Sequence, residues 1–184
     1  RAFKVFRAAL LLFAALTSSG YGITAEDRLG NPEFVERWPY GPAWPVTDSG
    51  DYLFYSSGLV LIISDVSVPS APVTVSETEF PYLLADLFVE GDSLFAVTNS
   101  ENGNRCGFLI LDVSDPAAPS VISHTETPGQ ATHIRVSGDH AFVLERYSGV
   151  RAFDISSASS PHEVGSVDVS NCVALDVVPG YAYA

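Results

Sequence analysis

Apolar and polar positions alternate in short runs that glycine, proline and acidic residues break. Leu84 to Val89 is an apolar run. Glu90-Gly91-Asp92 follows it as a tight turn, where glycine supplies the positive φ that side chains resist. Ser93 to Thr98 and Gly107 to Val113 are two further runs of strand character. Ser120 to Thr127 is a fourth, more polar one; strict alternation would put Val121, Ser123 and Thr125 on one side and Ile122, His124 and Glu126 on the other. Polarity on such a strand blunts unwanted pairing, so it predicts an outer edge. Helical periodicity appears nowhere beyond the first 25 residues.

This four-strand unit is repeated. One phrase reads Asp65-Val66-Ser67, then Asp112-Val113-Ser114, then Asp154-Ile155-Ser156. Each copy has prolines behind it: Pro69 and Pro72, Pro116 and Pro119, and Pro161 alone in the third. A second phrase alternates with the first: Ser49-Gly50-Asp51, Glu90-Gly91-Asp92, Ser137-Gly138-Asp139 and a degenerate Pro179-Gly180-Tyr181. The glycines step by 41, 47 and 42 residues and the aspartates by 47 and 42. The long step comes from one insert, Asn99 to Arg105, so the underlying period is about 42, in the range of a four-stranded propeller blade. The expected fold is all-β: a partial β-propeller with about three blades and the start of a fourth. The copies run 43–81, 82–129, 130–170 and 171–184, the last cut short. Gly50, Gly91 and Gly138 serve the turns. Asp65, Asp112 and Asp154 are expected to accept backbone N–H groups of the loop that follows them. A calcium site at Asp112 and Asp115 is disfavoured, because Val68 and Ser157 stand at the position of Asp115 in the other copies.

Before the repeats, a basic start (Arg1, Lys4, Arg7), an apolar stretch from Ala8 to Leu16 and a small-residue exit read as a secretory signal peptide over 1–25. Cleavage is expected after Ala25, with Gly22 as the alternative. Nine apolar residues are too few to span a bilayer. Removing the three basic residues takes the net charge from −13 to −16, with six arginines and no lysine left against 22 acidic residues. Such a surface repels nucleic acid and anionic lipid. Cys106 and Cys172 fall in different copies, with a unit between them, so no internal disulfide is expected. With no methionine and an end inside a repeat, the chain reads as cut at both ends.

Phe108-Leu-Ile-Leu-Asp112, Leu61-Ile-Ile-Ser-Asp65 and Val150-Arg-Ala-Phe-Asp154, each followed by an apolar residue and serine, resemble the LVIVD repeat. So does the Ser-Gly-Asp turn with its following strand. The resemblance covers 43–184 and implies a β-propeller of an exported or cell-surface protein. It implies no particular chemistry. The third copy departs most, with Ala158 for the first proline. Residues 26–42 form an N-terminal segment in which 32–38 resembles a fourth strand. That strand is expected to act as a latch completing the last blade of a closed ring.

Loops between blades, and between second and third strands, share one face of such a fold. The candidates there are Tyr40, Trp44, Tyr82, Asp86, Arg105, His133, Arg146 and Tyr147. Flat aromatics can stack on sugars or peptide side chains, and arginine can hold an acidic group. Burial against a neighbouring blade is the competing use of the aromatics. His133 shares its slot with Asp86 and Pro45, and no orienting partner for it is visible. No nucleophile elbow, phosphate loop or zinc spacing occurs, so neither cofactor nor metal is expected. The expectation is an exported, non-catalytic module of the cell surface or periplasm that recognises protein or glycan. Two alternatives stay open: a hydrolase or oxidoreductase completed by further blades, and a structural arm of a larger protein with an anchor beyond residue 184.

Overall fold

The computed structural model describes residues 43–99, 106–169 and 172–184. Residues 1–25, expected to be a leader, the segment 26–42 with the strand expected at 32–38, Tyr40 and Arg105 lie outside the described residues.

Three four-stranded antiparallel sheets follow one another, each a meander in chain order. The first holds β1 (Ala43–Ser49), β2 (Tyr52–Ser57), β3 (Val60–Asp65) and β4 (Val73–Glu79). The second holds β5 (Leu83–Glu90), β6 (Ser93–Asn99), β7 (Gly107–Asp112) and β8 (Ser120–Glu126). The third holds β9 (Gln130–Ser137), β10 (His140–Arg146), β11 (Gly149–Asp154) and β12 (His162–Val167). A two-stranded sheet, β13 (Asp176–Val178) with β14 (Tyr181–Tyr183), comes last. These are propeller blades, as the period and the alternation led one to expect.

The middle strands are apolar on both faces, and the second blade is covered on both sides by its neighbours. Phe54, Leu61 and Ile63 of the first blade pack against Leu84, Leu94, Leu109 and Leu111 of the second. The alternate residues of the second, Phe95, Val97, Phe108 and Ile110, meet Ile134, Val136, Val143 and Phe153 of the third. Each fully buried side chain of this size contributes roughly 1.5–3 kcal/mol. Phe108 and Phe153 meet edge to face, their ring centroids 5.1 Å apart.

The two repeated phrases are bonded to each other. The amides of Val66, Val113 and Ile155 donate to the carbonyls of Asp51, Asp92 and Asp139 at 2.7, 2.8 and 2.9 Å. Asp65, Asp112 and Asp154 each turn Oδ1 onto the amide of the serine two residues on, at 2.8, 2.9 and 2.9 Å. Those serines hold all three carboxyls below the ordinary aspartate value, first through the hydroxyl and then through the amide. A further clasp joins blades: Ser76 Oγ donates to the Pro116 carbonyl (2.7 Å) and Ser123 Oγ to that of Ala158 (2.6 Å). Only a carbonyl is needed there, so alanine can replace proline in the third copy.

Strict alternation fails in the outer strands. β8 has a bulge at Ile122, since Ile110 faces Ser123 and Leu111 faces Val121. Val121 therefore shares a side with His124, not with Ser123 and Thr125. The same bulge recurs at Val75 and Val164. An extra residue on one strand bends it and raises its twist, which suits an outer edge. Inner strands carry bulges too, at Trp44-Pro45, Ala85 and Thr132. The bulge explains how Pro45, which has no N–H to donate, fits inside a strand.

Candidate binding face

Inner strands β1, β5 and β9 all begin at the same edge of their sheets, beside the turn between second and third strands; Ala43, for example, pairs with Ser57. The Gly-Asp turns and the Asp-capped loops gather at the opposite edge. Trp44, Tyr82, Arg146 and Tyr147 fall at or near the first edge. Asp86 and His133 lie in the strands themselves, at matching positions one blade apart.

Trp44 stands at the β1 bulge with its side chain 79% exposed. Tyr147 is 76% exposed and is, among the described residues, the one non-glycine with positive φ, at 71°. Left-handed backbone costs a residue with a Cβ roughly 1–2 kcal/mol, so the neighbouring structure must hold it there. Arg146 lies over its ring, with Cζ 5.5 Å from the centroid. An arginine and a tyrosine presented together on a fixed turn can supply guanidinium donors and a flat apolar surface.

That turn has a buried foundation. Glu145, the next-to-last residue of β10, is buried, 1% exposed. Its Oε1 accepts the Gly129 amide at 3.0 Å and its Oε2 accepts Arg151 Nε at 2.8 Å. Arg151 also reaches Glu163, 2.9 Å away. The bond from Glu145 holds the guanidinium above its ordinary value. Thr98 and Leu109 stand where the second blade has its counterparts of Glu145 and Arg151, so the charge pair is specific to the third blade. Sequence reading missed it because Glu145 adjoins Arg-Tyr-Ser-Gly and looks like part of a polar loop. Only the pairing of Glu145 with Gly149 places it in the ladder.

The other candidates are engaged inside the fold. Asp86 Oδ2 accepts the Ile134 amide at 3.0 Å and Arg135 Nη1 at 2.7 Å, tying the second inner strand to the third. Arg135 also covers the Phe88 ring, 5.9 Å from its centroid. This arginine was not singled out from sequence, although it lies one period after Phe88. His133 Nδ1 is 3.2 Å from Thr132 Oγ1. Tyr82 packs into the core between the first and second blades and meets the His124 ring at 5.0 Å. The structure thus brings Arg146 and Tyr147 together. Asp86, His133 and Tyr82 each go to separate contacts.

A family model described as a beta propeller domain matches residues 45–166. Among solved structures, the chain is similar to a Bacteroides fragilis protein assigned provisionally as a 6-phosphogluconolactonase, with 13% identity and a TM-score of 0.61 over 72% of this chain and 41% of that one. It is similar too to a Desulfotomaculum acetoxidans protein of unknown function, with 18% identity and a TM-score of 0.57 over 71% of this chain and 42% of the other. A Bacteroides thetaiotaomicron protein, also of unknown function, gives 9% identity and a TM-score of 0.50 over 70% and 32%. The chain spans less than half the length of each. At these identities the likeness is one of fold. No match is found among curated proteins.

Proposed function

Because this chain belongs to the beta propeller domain family, we propose that it is a binding module of the LVIVD repeat kind, exported and without catalysis of its own. It recognises protein or glycan through the edge that carries Trp44, Arg146 and Tyr147. The observation that carries this reading is the contrast on that edge: large aromatic side chains are held out in solvent while nearby titratable groups are spent on structural bonds. Exposed aromatics and arginine are the residue types that dominate interface energetics. A catalytic carboxylate or imidazole would instead need to stand within reach of a reacting atom. The leader at 1–25 and the latch at 32–38 belong to the same proposal: export first, then closure of a ring completed by further blades.

The test is binding of the full chain to immobilised oligosaccharides, neutral and uronate-bearing, and to a panel of purified cell-surface proteins. Trp44→Ala and Tyr147→Ala should each weaken capture by the panel member that binds best by about tenfold or more, since a residue at an interface centre is worth about 2 kcal/mol. Equal capture by wild type and both variants would remove this edge from consideration.

A further inference from the structure

The opposite edge of the third blade holds a row that the binding proposal does not use. His140 of β10 is the register partner of Asp154 of β11, and Asp154 is the partner of His162 of β12. Residues directly opposite in antiparallel strands point to the same face, with Cβ atoms about 4.5–5.5 Å apart. Two imidazoles therefore flank one carboxylate across two strand spacings, about 9.6 Å in all.

The same three positions in the other blades are Tyr52, Asp65 and Val73, and Ser93, Asp112 and Ser120. The aspartate is present in each because it caps the loop behind it. The flanking positions carry no such duty, and they become ligand-bearing only in the third blade. Two of the four histidines of the chain stand there, on either side of one aspartate. Spacing along the sequence hides this, since the row forms only when three strands align.

We propose that His140, Asp154 and His162 together bind a divalent transition metal ion, with zinc as the first case. Asp154 Oδ1 accepts from the Ser156 amide and hydroxyl, which leaves Oδ2 for a further ligand. Among the described residues, no three such side chains are gathered around one point as they stand. His140 and His162 are exposed, so their rings can turn toward Asp154 without disturbing the core. Two imidazole nitrogens and one carboxylate oxygen suit zinc, copper or nickel and not the oxygen-bound magnesium or calcium. Three protein ligands leave a fourth tetrahedral position for water or for a group from another molecule.

The experiment is calorimetric titration of the metal-free full chain with zinc chloride, and separately with magnesium chloride. Wild type should bind one zinc per chain, saturating in the micromolar range, with no magnesium signal. His140→Gln and His162→Gln should each weaken zinc binding more than tenfold, since loss of an outer-shell partner alone costs about 10–100-fold. His133→Gln, outside the row, should leave it unchanged, and circular dichroism should give the same spectrum for all. Absence of saturable zinc binding below millimolar, binding that either histidine variant leaves unchanged, or equal binding of magnesium would overturn the site.

Discussion

At the scale of single residues, buried and exposed carboxylates do different work. Glu145 is buried between a backbone amide and a guanidinium, and removing one partner of a buried pair strands the other. Glu145→Ala should therefore lower stability by roughly 3 kcal/mol in urea unfolding. Glu163→Gln, at the exposed end of the same network, should cost under about 1 kcal/mol. The capping aspartates act through pH. Asp65 and Asp112 titrate below their ordinary 3.8 in the folded chain because the serine two residues on bonds their charged form. A depressed folded value means the stabilisation is whole above the unfolded value and is lost as pH falls through the folded one. Wild type should therefore lose melting temperature below about pH 4, whereas Asp65→Asn with Asp112→Asn keeps the oxygen acceptor and loses part of that acid dependence. A double variant with the same acid slope as wild type would contradict the role given to these charges.

At the scale of elements, the strands were legible and their irregularities were not. The boundaries of β5 to β8 follow the apolar runs to within a residue or so, since glycine turns and capped loops punctuate both ends. The aspartate phrase and the Gly-Asp phrase recur together because the backbone of one bonds the backbone of the other. The bulges at Val75, Ile122 and Val164 left no comparable mark, as a β-branched residue fits an alternating strand equally well. Charge placement was hidden for a related reason: Glu145 and Arg135 acquire their meaning from partners sixteen and forty-nine residues away. Gly107 and Gly149 open the third strands of their blades. A Cβ at Gly107 would collide with the Thr125 carbonyl, and one at Gly149 with that of Val167. Gly107→Ala should thus push β8 away from β7, seen as faster amide exchange along β8 with β5 and β6 still protected. Uniform protection in that variant would show that the outer strand can yield without separating.

At the scale of the whole molecule, the repeat fixes where things sit and leaves open what they bind. Every blade shares its turns, caps and apolar faces, so chemistry is confined to positions where one copy departs from the others. The third blade departs most, with Glu145, Arg151, Arg146 and Tyr147 toward one edge and His140 and His162 at the other. No spacing in the sequence names a ligand, because the side chains that share an edge come together only when the strands pair. The proposed export makes its own prediction at this scale. A leader-bearing chain expressed in a secreting host should appear outside the cytoplasm with Glu26 as its first residue, read by N-terminal sequencing. Retention with the leader intact would end that part of the proposal.

The sheets stand side by side with their inner strands aligned, and the Ile134 amide reports on this most directly. It belongs to the inner strand of the third blade, and its acceptor is the Asp86 carboxylate of the second. Hydrogen exchange at Ile134 should be slow in the wild type and become fast in Asp86→Ala, with β10 and β11 still protected. Exchange at Ile134 that is fast in the wild type, or the same in both proteins, would contradict the stacking of blades described here.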